Sequence, residues 1–460
     1  MKDLLHIDKE NFFTQDKTFY KSLFSMLFIV GLQNIVAYSI NMVDNIMLGS
    51  YHQEALAGAT TVNQIFFVVQ QITLGIGNAL VILASQYWGK KHIEPIASLT
   101  GLTLKIGLIF SVVIVFICSV FSSELLGLFT TSKIIIAQGC DYLYLMQWSF
   151  VLFIFSNLLM ATLRSVETVK IAFYISIVSL MINTSINYTL IFGNFGFPEM
   201  GVKGAAIGTV VARFLELAIV VIYLLKFDTK IKLFKHKFWE HSSLELNSDY
   251  RKVVVPLILS QIFWAVSIPI QTGILGHLSD DAIVANSIAT TFFQYLKVIV
   301  VAMASASSVL IGISIGRGDM KRIRSDARTM ACIDIVIGII LAIGLYSLRY
   351  PLLSMYQLTD SATILSLNLI GVMSIVMVGM SYQMPVSIGI IQGGGDTRFV
   401  MTMNLVSIWA IVIPLSFFTA FVWRWPVEWV VLVIQSDQIF KVIPTFIRFR
   451  SYKWVRKLAR

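Results

Sequence analysis

Residues 55–89 read ALAGATTVNQIFFVVQQITLGIGNALVILASQYWG, thirty-five positions without one Asp, Glu, Lys or Arg. A helix needs about 20 mainly apolar residues to cross a bilayer, so this stretch holds a span with a turn to spare. Residues 22–43, 142–163, 171–198, 298–316, 361–395 and 399–423 are equally free of charge. One such run fits a buried helix of a large soluble protein; seven do not. Charged residues make up 13% of the chain and hydrophobic residues 57%, with a mean hydropathy of +0.80. A soluble domain carries about 25% charge, so lipid is the solvent for most of this chain. The runs are far longer than the ten-residue alternating segments of a barrel, which makes the spans helical.

The apolar segments predict twelve helices near 22–46, 58–84, 101–122, 137–160, 169–192, 204–225, 253–274, 283–312, 328–347, 364–391, 399–420 and 427–446. Residues 1–21 are polar, lack an apolar h-region, and read as a cytoplasmic segment rather than a signal peptide. A net charge of +10 raises the question of nucleic acid. Its placement answers otherwise. Lys2, Lys9, Lys17 and Lys21 precede the first span. Lys90 and Lys91, Arg164 and Lys170, Arg317 to Arg328, and Arg398 fall in alternate loops. The middle loop holds Lys226, Lys230, Lys232, Lys235, Lys237, Arg251 and Lys252, and the tail holds Arg448, Arg450, Lys453, Arg456, Lys457 and Arg460. The other loops hold at most one basic residue each: Lys133, Lys203, Arg349 and Arg424. That is the positive-inside pattern for an even helix count with both ends in the cytoplasm, so the charge reads as topology on an inner membrane, with lipid as partner and no nucleic acid. Three separated cysteines and scattered histidines form no metal spacing.

The only long polar break, 226–252, divides the chain into lobes at 22–225 and 253–446, followed by a basic tail at 447–460. Shifting the first half by 227 positions lays IMLGSYHQEALAGATTVNQIF (46–66) beside GILGHLSDDAIVANSIATTFF (273–293), pairing Leu48-Gly49 with Leu275-Gly276 and Phe66 with Phe293. Gly89 then falls on Gly316, and Glu167-Thr168 meets Asp396-Thr397 at a shift of 229. Six helices per half keep the repeats in one orientation, so the expected fold is an all-α polytopic membrane protein with two six-helix lobes. A pseudo-twofold axis along the membrane normal relates them, an arrangement used by transporters. No nucleotide-binding loop or catalytic motif appears, which argues against an enzyme; the Gly393-Gly394-Gly395 run lacks GxxxxGK and reads as a turn.

Polar groups at membrane depth mark function by default. Asp44 lies near the outer end of the first helix. Asn34, Asn41 and Asp44 fall close to one helical face with Tyr38 near it. Its two readings are a proton or cation carrier and an interfacial acid in the outer loop. Arg213 and Glu216, three apart in the sixth helix, suit a structural ion pair. Asn183 and Asn187 form an i,i+4 pair that bonds across helices or lines a pocket; Gln70, Gln71 and Gln261 are further candidates for a polar network or substrate cavity. Asp334 and Asp437 also fall within spans, Asp334 with a basic neighbour as its expected partner. Pro256, Pro269 and Pro385 each remove a backbone hydrogen bond and can bend their helices.

The chain resembles the multidrug and toxic compound extrusion (MATE) transporters from about residue 20 to 446. The resemblance rests on VDNIMLG (43–49) followed by EALAGATTVNQ, on GKK (89–91) with its counterpart GRGD (316–319), on NYTLIFGNFGFPEMGVKGAAIGTVVARFLE (187–216), and on QGGGDT (392–397). It implies a V-shaped pair of six-helix lobes, monomeric, exporting bulky and often cationic organic compounds in exchange for H⁺ or Na⁺, with no other cofactor. It puts Asp44 on the family's coupling aspartate, with Na⁺ near Asp44 as one option and Asn183 and Asn187 beside it. One departure stands out. Where many relatives carry a glutamate after the proline matched by Pro256, this chain reads PLILSQIFWA, with Ser260 and Gln261. Coupling is therefore expected in the N-terminal lobe. The alternatives are a flippase for lipid-linked or polysaccharide intermediates and, less favoured, a passive channel.

Overall fold

The computed structural model describes residues 12–236, 239, 243–278, 280–354, 356 and 358–459. Lys2, Lys9, Lys237 and Arg460, counted above for topology, lie outside the described residues, as do positions 1–11 of the expected N-terminal segment.

The chain is helical almost throughout. The long helices are α1 (Lys17–Tyr51), α2 (Gln53–Gly89), α3 (Glu94–Val120), α4 (Lys133–Ser165), α5 (Lys170–Phe192), α6 (Val202–Lys226), α7 (Leu244–Gly276), α8 (Asp280–Arg317) and α9 (Met320–Ser347). They are followed by α10 (Asp360–Gln392) and α11 (Thr397–Val422). Last come α12 (Val427–Ile434) and α13 (Asp437–Ser451), which meet at a bend of 44°. Among the described residues, eleven helices are long and apolar enough to cross a membrane, and twelve if the bent pair is one span. The chain is thus an all-α polytopic membrane protein. The expected last helix, 427–446, is broken where Gln435-Ser436 interrupts it.

Proline acts selectively. α7 stays α-helical across both Pro256 and Pro269. At Pro385 the helix widens into a π-helical stretch, Pro385–Gln392, where the missing N–H removes the i→i−4 bond that would hold the tighter winding. Two more π stretches, Val406–Val412 and Phe418–Val422, lie in α11. Gly393 to Gly395 form the turn between α10 and α11, with Gly395 at φ +101°.

Two compact units emerge from the packing. One comprises the chain up to Gly31, Ser85–Lys91 and everything from Phe263 on; the other comprises Leu32–Ala84 and His92–Ile262. The division cuts α1, α2 and α7 internally. In the second unit α6 packs against α4 and α5, and α3 against α4. In the first, α10 packs against α8 and α9 around a core that includes Phe293, Val300, Leu369, Met373 and Val431.

The first unit is closed at one end by polar contacts. Asp16, just before α1, accepts from the Thr18 N–H at 2.8 Å and the Thr18 hydroxyl at 2.5 Å, and pairs with Arg322. Chiefly the Thr18 hydroxyl bond, with the arginine assisting, holds its carboxyl down at about 2. The tail after α13 docks rather than hangs. Trp454 is fully buried. Gln86 accepts from the N–H groups of Leu458 at 2.8 Å and Ala459 at 3.2 Å, and donates to the Arg456 carbonyl at 3.1 Å.

Where α2 meets α8, glycine permits contact between backbones. A Cβ on Gly316 would overlap the Gln86 carbonyl oxygen, and one on Gly89 would overlap the Ile313 carbonyl oxygen. Each added carbon would also lie close to the other glycine's Cα, at 3.0 Å for Gly316 and 3.1 Å for Gly89. Gly316→Ala is expected to force the helices apart and cost about 1–3 kcal/mol, the range for overpacking. A lowered apparent melting temperature of the purified protein checks this; an unchanged one would show that the crossing tolerates a methyl group.

Candidate functional site

Asp44 sits in α1 seven residues before Tyr51, roughly 10 Å from the helix end. It is 9% exposed, in a buried row with Ile40 and Leu48 at four-residue spacing. A carboxylate so enclosed requires hydrogen-bond partners, and α5 supplies one. The Asn187 side-chain N–H donates to Asp44 Oδ1 at 2.5 Å. Asn187 also approaches Asn183 Oδ1 at 3.4 Å, and Asn183 donates to Thr209 Oγ1 on α6 at 3.3 Å. Thr209 in turn donates to the Ala205 carbonyl at 3.1 Å. Tyr142 of α4, 2% exposed, completes the group, with its hydroxyl next to Thr209 and Asp44 as an electrostatic neighbour.

This network leaves one group unsatisfied. Asn187 Oδ1 is buried without a hydrogen-bond donor. It is held against Gly208 of α6, where any Cβ would overlap it. The i,i+4 spacing places Asn183 and Asn187 on one face, and the absent side chain at Gly208 lets α6 come close enough for that face to be enclosed. The result is a chain of linked polar groups, Asp44, Asn187, Asn183, Thr209 and Tyr142, whose oxygens include a single carboxylate. Such oxygens suit a proton or a hard cation. Among the described residues no cluster of three His, Cys, Asp or Glu side chains exists that would hold a transition metal.

Arg213 and Glu216 do pair, at 2.7 Å between Nη1 and Oε2. Ser156 donates to the other carboxylate oxygen at 3.1 Å, and the guanidinium lies 5.0 Å from the Phe153 ring centroid. Glu216 is thus fully engaged, while Arg213 adds positive potential at Asp44.

The remaining sequence candidates are placed differently. Asp44 and Asn41 are three residues apart, about 60° around the helix. That angle separates a buried acid from an exposed asparagine. Tyr38 is exposed and Asn34 half-buried. Gln70 is half-buried, whereas its neighbour Gln71 is buried; Gln261 is half-buried with its Cγ packed over Gly75. None of these side chains joins the hydrogen bonds around Asp44. Tyr142 and Ser156 were missed because no spacing sets either apart from the other polar residues of α4, such as Asp141, Tyr144, Gln147 and Asn157.

Elsewhere, Asp437 pairs with Lys441 at 2.7 Å and accepts from Gln438 at 2.8 Å. Asp334 is 3% exposed, and its Oδ2 has no hydrogen-bond donor. The basic partner expected for it is not present among the described residues, because the arginines near the start of α9 lie turns away along the axis.

Comparison with known proteins gives a consistent picture. The chain is 25% identical over 430 residues to the probable multidrug resistance protein YoeA of Bacillus subtilis, covering 90% of each. It is 23% identical to the probable multidrug resistance protein NorM of Rhizobium meliloti, over 92% of this chain and 90% of the relative. The fold matches the crystal structure of the Vibrio cholerae MATE transporter VcmN in the bent form, with a TM-score of 0.85 at 19% identity, covering 96% of this chain and 98% of that one. The MatE family model matches residues 30–189 and 256–418, on both sides of the polar break, and the chain belongs to this family of membrane transporters, which are not enzymes.

Proposed function

We propose that the protein is a secondary active antiporter that exports bulky, often cationic organic compounds in exchange for H⁺ or Na⁺ by alternating access. Asp44 is its coupling group, assisted by Asn183 and Asn187. One observation carries the reading: a buried carboxylate adjoins a buried amide oxygen that lacks a donor. An unsatisfied buried acceptor costs about 1–3 kcal/mol. A proton on Asp44, or a Na⁺ ion among the oxygens, relieves that deficit, so cation binding and the arrangement of α1, α5 and α6 are linked. By reciprocity, a substrate favouring the cation-free arrangement drives cation release, and the ion gradient supplies the energy. The multidrug names of the relatives support the cargo class.

The same reading has twelve spans in two repeats at 22–225 and 253–446, related by a pseudo-twofold along the membrane normal, functioning as a monomer with both termini cytoplasmic. The α2–α8 crossing supports the axis. Positions 89 and 316 differ by 227, as do 86 and 313, which is the shift that aligns the two sequence halves. Each glycine meets the carbonyl of the other's partner. Such reciprocity characterises an isologous contact about a twofold axis.

The test is substrate extrusion from proteoliposomes with Na⁺ and pH gradients imposed separately. An antiporter concentrates substrate uphill under one gradient and moves the coupling ion when substrate is added. Flow that only follows the substrate gradient would identify a passive channel and end this reading.

A further inference from the structure

The first compact unit holds a cavity that the coupling site does not use. Its volume is about 100 Å³, and it lies where α2 and α8 end against the docked tail, with Gln86, Lys90, Gly316, Gly318, Lys457 and Ala459 in its lining. One water takes about 30 Å³, so the space admits a group of several heavy atoms. Glycine gives it its shape. The bare Gly316 lets the Gln86 backbone close one side, and Gly318, at φ +81°, turns the chain out of α8 with open space where a Cβ would stand. On the topology proposed above, this end of the bundle faces the cytoplasm at the level of the lipid headgroups.

Donors and acceptors do not balance in this cavity. Gln86 is spent: its side chain accepts from the Leu458 and Ala459 N–H groups and donates to the Arg456 carbonyl. An ammonium carries three donors and no acceptor. Lys90 places one donor on the Ala459 carbonyl at 2.9 Å. Lys457 makes no hydrogen bond or ion pair among the described residues. No acid is among the described lining residues. Asp319, which follows Gly318, caps α9 through the N–H groups of Lys321 at 3.0 Å and Arg322 at 3.3 Å. Asp396 is occupied by Arg448 and Arg456. Two positive charges, one at the end of α2 and one on the tail, therefore line one small space without a counter-charge.

From this imbalance we infer that the cavity is a binding site for a phosphate group, carried on an anionic lipid of the inner leaflet or free in the cytoplasm. Phosphate oxygens point in several directions, so one group accepts from both ammoniums at once. Lysine binds phosphate as a point charge, and anionic headgroups are concentrated at the cytoplasmic surface. No bond is made or broken; the anion exchanges water for the two ammoniums. Once bound, it joins the end of α2 to the tail and adds to the hold of Gln86. The site lies apart from Asp44 and its occupancy does not depend on the antiport reading.

The test titrates the purified full-length protein, in a non-ionic detergent, with dihexanoyl phosphatidic acid and counts bound ligand by native mass spectrometry. Dihexanoyl glycerol, which lacks the phosphate, is the control. The wild type should hold one phosphatidic acid about tenfold tighter than Lys457→Gln does, the size of one charge-assisted hydrogen bond. Lys457→Arg, which keeps the charge, should retain the affinity. Lys453→Gln removes an equal charge from an exposed position of the same tail and should change nothing. Wild-type affinity in Lys457→Gln overturns the inference, as does equal retention of the glycerol lipid. An equal loss in Lys453→Gln also overturns it, because that result is diffuse surface attraction. Inorganic phosphate added at constant ionic strength separates the two sources. Displacement of the lipid shows that phosphate alone suffices, and no displacement commits the site to the lipid; both uphold the site. Binding is read without an ion gradient, so its failure and a failure of antiport are distinct results.

Discussion

Asp44→Asn should give a folded protein whose gradient-driven extrusion falls to the level of empty vesicles. The substitution keeps the size of the side chain and its place in the buried row between Ile40 and Leu48. An oxygen at the position of Oδ1 can still accept from Asn187. What disappears is the ability to gain and lose a proton, or to neutralise a cation, within an enclosed site. The equilibrium between cation-bound and cation-free arrangements then has no ion to shift it, and a ligand with no differential affinity shifts nothing. Extrusion by the variant equal to wild type at matched expression would remove Asp44 from coupling. Substrate binding measured without a gradient should persist, which separates lost coupling from lost folding.

The largest expected loss of stability follows Asp396→Ala. Asp396 stands in the turn between α10 and α11 and is 1% exposed. It accepts from Arg448 Nε at 2.7 Å and from Arg456 Nη2 at 2.6 Å, and also pairs with the Arg448 Nη2. Removing the acid strands two guanidinium groups and loosens the docked tail, where the Arg456 N–H also reaches the Gly394 carbonyl at 2.9 Å. Breaking a buried pair costs about 3–5 kcal/mol. Arg456 is 44% exposed and recovers part of its hydration, which places the expected cost near the lower end, about 3 kcal/mol. Thermal unfolding in detergent should show a clear drop in apparent melting temperature, with Asp396→Asn in between. An unchanged melting temperature would mean the tail stays seated without this acid.

The spans were legible because charge-free runs are dictated by the solvent, and the seven quoted runs all fall on helices apart from short connecting segments. The breaks within helices were harder to read. Pro385 announces its π stretch chemically, but Val406–Val412 carries no such mark, and α7 remains α-helical across Pro256. At the site, Asp44 and the Asn183–Asn187 pair stood out as polar groups at membrane depth. Helical angle alone put Asn41 beside Asp44, yet an angle says nothing about which sector a neighbouring helix covers. Tyr142 reaches the site from a helix nearly a hundred positions from Asp44, through a contact that no local spacing encodes. The tail contacts were illegible for a related reason: Gln86 meets Leu458 across |i−j| = 372.

Gly89 and Gly316 have an implication for how the sequence can change. Most distant positions in a chain drift independently, since each has its own surroundings. These two have the same surroundings: each forms part of the wall that confines the other. A single gap has two claimants, so neither position can acquire a side chain without altering the room left to its counterpart, and relaxed selection on one would be felt at both.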